Sequence, residues 1–214
     1  MFRCTTSIYN ALYAPWLERP GNLLDMAEWK PGHRLLDLCG GTGAVSLEAV
    51  RRGAHPREVV LYDLRPRLDP KHGIRTVQGL AEHVGSLQGR IPDFQVVVCR
   101  QAMNYLKIDD DLFKGIHKVM RPNGTFVFNT PFWPAKNSRW VIKKKLHQGR
   151  SFYEAAVRVR GRIWHVQASP GIGFDVTRFH KYDNADIKEA LEPYFDIDFR
   201  IYGEKSTRWV CVKK

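Results

Sequence analysis

The sequence predicts an α/β protein whose core is a mostly parallel β-sheet. An apolar run, 35–38, breaks into a glycine-rich turn that leads into a helix. A second run, 58–63, ends in an acid twenty residues beyond Gly43. A third run, 94–100, is almost continuously apolar, which is typical of a strand buried on both faces of a parallel sheet.

The turn 39–43 has the features of a binding site for a nucleoside-bearing ligand. Gly41 and Gly43 lack a Cβ, so the backbone can turn with positive φ, and the first N–H groups of the next helix can face the ligand. Ser46 occupies the third position of a G-x-G-x-x-G pattern, and Asp37 lies just upstream, where its carboxylate would repel a pyrophosphate. Beside a sulfonium or an ammonium group, the same carboxylate is favourable or neutral.

This run resembles the first motif of the class I S-adenosylmethionine (SAM)-dependent methyltransferases, in which an acid precedes spaced glycines and cysteine often takes the first glycine place. The resemblance implies SAM as the cofactor, and the length of 214 residues indicates a single domain over residues 1–214. It implies a Rossmann-like, seven-stranded, mostly parallel sheet with an antiparallel hairpin at its C-terminal edge. Residues 1–30 would form lid helices, and residues 131–181, inserted after the fifth strand, would form a small basic, β-rich cap.

The resemblance also implies which residues bind the cofactor. Asp63 would accept hydrogen bonds from both ribose hydroxyls, and residues 79–82 would wall the adenine. Leu80 stands where many relatives have aspartate, so the adenine amino group would lose that contact or use Glu82 or a backbone carbonyl. Cys39 fills a slot for a small residue, which favours packing over a role as nucleophile. The expected SAM-binding residues are Asp37, Cys39, Gly40, Gly41, Thr42, Gly43, Asp63, Leu64, Leu80, Ala81, Glu82, Arg100, Gln101 and Tyr105.

The other elements follow in the order that this fold requires. A strand is predicted over 74–78, followed by an amphipathic helix over 109–120, a turn over 121–124 and a strand over 125–129. A helix over 184–193 comes next, and strands over 195–202 and 207–212 complete the sheet. Only ten residues, 64–73, separate the second and third strands, and two of them are prolines. We therefore expect a vestigial second helix. The thinly covered flank would suit a neighbouring loop or a partner subunit, which allows a homodimer.

Positive charge is concentrated in the predicted cap. Residues 131–181 hold eleven Lys or Arg against two Asp or Glu, which is +9 of the formal net charge of +12. The cap is predicted to begin with a basic helix over about 137–146 and to continue as three strands, 152–160, 162–168 and 174–182. Its field would attract an anionic small-molecule acceptor. A nucleic-acid groove, a membrane-surface helix and a solvated charged face are the alternatives.

Four side chains are candidates for a general base or for aligning the acceptor. His165 and His180 lie in the cap and could act near neutral pH, although strand histidines more often serve packing. Tyr9 and Tyr13 lie in the segment where relatives place a tyrosine over the methionine or the acceptor. A helix face of tyrosines that covers the sheet is the alternative. No metal site is indicated, because the four cysteines lack C-x-x-C spacing.

The implied function is transfer of the SAM methyl group, by in-line displacement, to an oxygen, nitrogen or carbon of a small anionic or aromatic acceptor. One rival is an RNA methyltransferase that grips its substrate with the cap. Another is a scaffold or activator that binds SAM without turnover. Residues 129–132 superficially match the box of DNA-amine methyltransferases, but they follow the fifth strand and are interpreted as a strand exit. Without a membrane span or a signal-peptide core, a cytoplasmic protein is expected.

Overall fold

The structure, a computed structural model, describes residues 19–131, 140–147, 150–159, 162–169, 173–180, 182, 184–202 and 206–214. The larger of two compact units holds residues 19–131 and the described residues from 182 onward, and the smaller unit holds the strands between 140 and 179. The elements in chain order are α1 (Pro20–Met26), β1 (Leu35–Leu38), α2 (Ala44–Arg51), β2 (Val59–Asp63), β3 (Arg75–Gln78), β4 (Phe94–Cys99), α3 (Asp110–Val119), β5 (Met120–Pro131), β6 (Trp140–His147), β7 (Arg150–Val159), β8 (Arg162–Ser169), β9 (Gly173–Phe179), α4 (Asn184–Leu191), β10 (Phe195–Tyr202) and β11 (Ser206–Lys213).

The larger unit is built on one seven-stranded sheet in the order β10-β11-β5-β4-β1-β2-β3. The first five strands along the chain pair in parallel. β11 pairs antiparallel with both β5 and β10. The expected mostly parallel sheet with antiparallel C-terminal strands is therefore confirmed.

β5 begins five residues before its predicted start. Its pairing with β4 jumps from Met120 to Thr125, so residues 121–124 bulge out of the ladder. Asn123 has a φ of 58°, and a Cβ on Gly124 would lie 2.9 Å from a carbonyl oxygen of the same turn. The predicted turn is thus present as a bulge inside the strand. The strand continues to Pro131, so residues 129–131 lie in its last part, and the rest of the predicted exit 129–132 lies outside the described residues.

Apolar layers cover both faces of this sheet. On one face, Phe128 stacks on Trp209 of β11 with ring centroids 5.7 Å apart, and α3 and α4 pack over them. On the other face, α1 and α2 pack against β1, β2 and β5. Arg52, which directly follows α2, binds both Asp25 of α1 and Glu48 of α2 and so ties the two helices together. The sheet is thereby held rigidly on both sides, which fixes the positions of its strand ends.

The connection between β2 and β3 lacks an α-helix. Residues 64–74, all of them described, contain a single 3-10 turn, Pro70–His72, in which the side chain of Asp69 accepts a hydrogen bond from the N–H of Lys71. β3 forms the edge of the sheet, and three of its four residues are exposed. The prediction of a vestigial second helix is confirmed. A homodimer through this flank stays a prediction.

The smaller unit contains a four-stranded antiparallel sheet in the order β6-β7-β8-β9. Three of its strands lie within three residues of their predicted bounds. The basic helix predicted over 137–146 is wrong, because Trp140–His147 forms β6. Trp140, Val141 and Ile142 favour a strand, and all eight residues of β6 pair with β7, whereas a short lysine-rich helix gains too little to form alone.

No helix in the part of the chain that the structure describes is both long enough and apolar enough to cross a membrane.

Candidate functional site

The candidate site lies at the carboxyl edge of the parallel strands. β1 lies between β2 and β4 in the sheet. The glycine-rich turn after β1, the loop after β2 and the loop after β4 therefore leave the sheet side by side. Such an edge is where open α/β sheets bind their ligands.

Each glycine of the turn is required for a different structural reason. A Cβ on Gly40 would lie 2.7 Å from the carboxyl carbon of Asp37, so only glycine lets that carboxylate fold beneath the turn. Gly43 has a φ of 77° and begins α2, and a Cβ there would meet Leu68 at 2.9 Å. Gly41 also has a positive φ, but nothing lies within 4 Å of its Cβ position. The backbone at Gly41 therefore has an open side that a ligand can approach closely.

Asp37 is buried beneath the turn. Its Oδ2 accepts hydrogen bonds from the N–H and the hydroxyl of Ser46, at 3.0 and 2.7 Å. Burial is the main cause that raises the pKa of Asp37 to about 6; Asp63 also raises it, whereas Ser46 and Arg100 lower it. Among the described residues, nothing hydrogen-bonds to its Oδ1. The N–H of Ser46 is thus used by Asp37 and does not face a ligand, which corrects the expectation for this group.

Asp63 ends β2 and holds the glycine turn. Its Oδ2 accepts from the N–H of Gly41 at 3.0 Å, and its Oδ1 accepts from the N–H of Arg65 at 2.6 Å. A carboxylate has about four lone-pair positions, so each oxygen can accept a further hydrogen bond. Asp63 is half-buried. It can therefore bind two hydroxyl groups without releasing the turn.

Two leucines beside Asp63 are unusually exposed. Leu64 is 52% exposed and Leu80 is 47% exposed, the highest values for large apolar side chains within residues 19–130, 184–198 and 207–214. Leu64 follows Asp63, and Leu80 follows Gly79. The N–H of Gly79 donates a hydrogen bond to the carbonyl of Asp63 at 3.0 Å. The hydroxyl of Tyr62 donates to the carbonyl of Leu80 at 2.9 Å and holds that loop. Such exposure favours a ligand that covers apolar surface.

The loop after β4 begins with a strained residue. Gln101 has a φ of 60°, and its N–H donates to Oδ1 of Asn129 at 2.9 Å. Arg100, half-buried, lies close enough to Asp37 for its charge to lower the pKa of that carboxyl. Tyr105 ends the short 3-10 helix of this loop. The three predicted residues of the loop therefore leave the sheet beside the glycine turn.

A family model described as a methyltransferase domain matches residues 10–194. The chain belongs to this family. It is 29% identical over 116 residues to an uncharacterized methyltransferase, sll0829, of Synechocystis sp., covering 49% of this chain and 53% of that protein. The chain thus spans about half the length of that relative.

Solved structures show the same fold. The methyltransferase domain is similar to a SAM-dependent methyltransferase from Clostridium acetobutylicum, with a TM-score of 0.72, 13% identity and coverage of 97% of this chain and 96% of that one. It is also similar to SAM-bound CalS10, an amino pentose methyltransferase from Micromonospora echinaspora, with a TM-score of 0.69, 16% identity and full coverage of both chains. At these identities the likeness shows the fold alone.

Cys39 of the methyltransferase domain is held as a neutral thiol. It has a φ of 57° and shares a hydrogen bond with the thiol of Cys99 at the end of β4. This bond and burial raise the pKa of Cys39 well above its usual range. A thiol that stays protonated at neutral pH is a poor nucleophile, which favours the packing role.

The remaining predicted residues occupy different depths. Thr42 is half-buried in the glycine turn, Ala81 is buried, and Glu82 is half-buried after Leu80. His180 is half-buried after β9, while the backbone of His165 lies in β8 opposite Ala156 and Thr177. Tyr9 and Tyr13 lie outside the described residues. The contacts of all these residues with a ligand, and the four catalytic candidates, stay predictions.

The sequence did not predict three residues that hold the site together. Ser46 was noted only because it stands where a dinucleotide-binding turn has its third glycine, although it holds Asp37 in place. Asn129 was interpreted only as part of a strand exit, although its side chain accepts a hydrogen bond from the N–H of Gln101. Tyr182, which binds the far end of the same loop, had no signal beyond the end of a predicted strand.

Proposed function

We propose that this methyltransferase domain binds SAM and transfers its methyl group to an oxygen, nitrogen or carbon nucleophile of a small anionic or aromatic acceptor. The observation that carries the cofactor assignment is the grouping of Asp63, Leu64 and Leu80 beside the open side of Gly41. This grouping offers hydrogen-bond acceptors and apolar surface at one place.

The residues present fit the parts of SAM. The spare lone pairs of Asp63 suit the two ribose hydroxyls, and the exposed faces of Leu64 and Leu80 suit the flat adenine ring. Asp37 and Asp63 are close enough for their charges to interact, so a cationic ligand beside them would relieve their repulsion. A pyrophosphate at the same place would increase it. The donor set therefore favours a sulfonium nucleoside over a dinucleotide.

When bound, SAM supplies a methyl group that its sulfonium already activates, so no covalent enzyme intermediate is needed. The protein then contributes binding, alignment of the acceptor and exclusion of water. Alignment alone can be worth about 7–11 kcal/mol. If the acceptor must first lose a proton, Tyr9, Tyr13, His165 and His180 are the candidate bases.

The charge of the inserted segment supports an anionic acceptor. Residues 131–181 carry +9, and a positive field raises the encounter rate of an anionic molecule in a salt-dependent way. One fold neighbour acts on an amino pentose, which is a small acceptor. The charge suits a small anion and RNA alike, and the small acceptor of this neighbour favours a small molecule over RNA.

The cofactor assignment is tested by calorimetric titration of SAM into wild type, Asp63→Asn and Asp63→Ala. Charge-assisted hydrogen bonds are worth about 1.5–3 kcal/mol each, so we expect SAM affinity to fall about tenfold in Asp63→Asn and about 100-fold in Asp63→Ala. Glu189→Gln, an exposed change on α4, is the matched control and should bind SAM normally. A wild-type protein that does not bind SAM would overturn the assignment.

The acceptor class is tested by measuring formation of the demethylated product, S-adenosylhomocysteine (SAH), from SAM. Small carboxylates, phosphorylated compounds, phenols and amino sugars are compared with structured RNA at several salt concentrations. Turnover with a small acceptor supports the proposal. Turnover only with RNA, with a steep dependence on salt, would favour the RNA methyltransferase. SAM binding without turnover of any acceptor would favour the scaffold.

A further inference from the structure

The loop after β4 is held at its beginning by a buried side chain from β5. Oδ1 of Asn129 accepts from the N–H of Gln101 at 2.9 Å. Gln101 has a φ of 60°, a conformation that a residue with a side chain keeps only when its surroundings impose it. Asn129 is completely buried, so the hydrogen bond that it accepts from this backbone is shielded from water.

Asn129 is costly to the fold apart from this contact. Within the described part of the chain, its Nδ2 is buried and has no hydrogen-bond partner. Rotating the amide would not help, because Nδ2 would then face the N–H of Gln101 and two donors would meet. The buried unpaired donor of Asn129 and the strained backbone of Gln101 together indicate that the role of Asn129 is to position the loop.

The same loop is held at its end by Tyr182. The hydroxyl of Tyr182 donates to the carbonyl of Leu106 at 3.0 Å and accepts from the N–H of Ile108 at 2.9 Å. These two backbone groups are satisfied by one side chain that lies more than seventy residues away along the chain. Between the two held ends, Met103 and Asn104 are buried. The loop 101–108 is therefore fixed at both ends and anchored in its middle.

The position of this loop makes its shape relevant to the ligand. β4 pairs with β1 so that Val98 lies opposite Asp37. The loop therefore leaves the sheet next to the glycine turn. The larger unit breaks off after residue 132 and resumes at Tyr182, so both holding residues lie at the connections of the inserted segment.

We propose, resting on the function proposed above, that Asn129 and Tyr182 are positioning residues that hold the loop 101–108 in the shape that cofactor binding beside the glycine turn requires. Neither residue touches the reacting atoms in this assignment. Asn129 acts through the backbone of Gln101, and Tyr182 acts through the backbones of Leu106 and Ile108.

The first test removes single hydroxyl groups. Tyr182→Phe keeps the ring and loses both hydrogen bonds to the loop, whereas Tyr194→Phe, the matched control, loses a hydroxyl that binds the side chain of Asp110 outside the loop. Hydrogen exchange followed by NMR reports the loop amides, and calorimetry with SAH reports binding. We expect faster exchange at Ile108 and about a two- to tenfold loss of SAH affinity in Tyr182→Phe only.

The second test uses rescue. Asn129→Ala should release the N–H of Gln101, speed its exchange and weaken SAH binding about two- to tenfold. Gln101→Gly removes the backbone strain that Asn129 opposes, so the double variant Asn129→Ala/Gln101→Gly should bind SAH about as tightly as Gln101→Gly alone. The single variant is the reference because Gln101 is itself an expected SAM-binding residue. A merely structural role of Asn129 would lower the melting temperature without this rescue of binding.

The outcomes separate the two proposals. Wild-type binding of SAH with unchanged affinity in Tyr182→Phe and Asn129→Ala, despite faster exchange of the loop, would overturn the positioning role and leave the proposed function intact. Equal affinity loss in Tyr194→Phe would also overturn the positioning role. A wild-type protein that binds neither SAM nor SAH would overturn both.

Discussion

At the scale of single residues, Asp37 shows most clearly that the site is built at the expense of stability. Its carboxylate is 1% exposed, and only Ser46 donates hydrogen bonds to it among the described residues. The pKa of about 6 lies above the value of 3.8 for an ordinary aspartate. The folded state therefore binds a proton more tightly than the unfolded state.

This difference gives a pH-dependent prediction for Asp37→Asn. Above pH 6 the wild-type carboxylate is ionised in both states, and the folded state bears the full cost of burying the charge. Between pH 6 and 4 the folded state takes up a proton first, so this group adds stability as the pH falls. A pKa of about 6 in place of 3.8 corresponds to about 3 kcal/mol of stability. The stability of Asp37→Asn relative to wild type should therefore fall by up to about 3 kcal/mol from pH 7.5 to pH 4.

Urea denaturation at a series of pH values measures this difference. Because every other titrating group is shared by the two proteins, their contributions cancel in the comparison. A difference that does not change with pH would contradict the environment assigned to Asp37.

The site residues that could be predicted from the sequence are those that belong to a local sequence pattern. Asp63 follows an apolar run at a fixed spacing from the glycines, and Leu64 and Leu80 follow two strand ends. The bond between Asn129 and Gln101 joins residues 28 positions apart, and the bonds of Tyr182 span 74 and 76 positions. No local pattern marks such pairs, because they depend on how strands are placed beside one another.

At the scale of elements, the sequence predicted the larger unit well because its central strands β1, β2 and β4 are apolar runs with clear ends. It failed at β6, where three lysines between apolar residues suit either a helix face or an exposed strand. Pairing with β7 decided the outcome, and pairing is a non-local property.

The contact between α3 and the 3-10 helix Ala81–Leu87, which lies before β4 in the chain, depends on two facing glycines. A Cβ on Gly115 would lie 3.2 Å from the backbone nitrogen of Gly85 and 3.3 Å from a methyl of Val84. Alanine normally stabilises a helix interior by about 1 kcal/mol relative to glycine. Here we expect Gly115→Ala to destabilise the protein by about 1 kcal/mol, because the buried 3-10 helix must move to admit the methyl group.

Chemical denaturation checks this sign, with Lys114→Ala on the exposed side of α3 as the control. The control should change stability by less than about 0.5 kcal/mol. A more stable Gly115→Ala variant would show that the two elements can separate without cost.

At the scale of the whole molecule, ligand binding and stability are linked. A ligand that binds only the folded state stabilises it by about 2.7 kcal/mol at 100 times its dissociation constant. For a protein of this size that raises the melting temperature by about 5–11 °C. We expect SAM to produce such a shift in wild type and almost none in Asp63→Ala at the same concentration.

Differential scanning calorimetry measures this shift. If the two compact units melt separately, SAM should move only the transition of the larger unit, which carries all the described cofactor residues. A shift confined to the other transition, or an equal shift in Asp63→Ala, would contradict the assigned site.

The placement of β11 bears on how the protein is made. This strand lies between β5 and β10, yet it is the last of the seven to leave the ribosome. Until then the nascent chain carries β5 with one open edge, and Phe128 lacks the ring of Trp209 on which it stacks. Vectorial folding can assemble the parallel strands early, but closure of the sheet must wait for residues 206–213. Chaperones that shield open strand edges during translation would therefore act on β5.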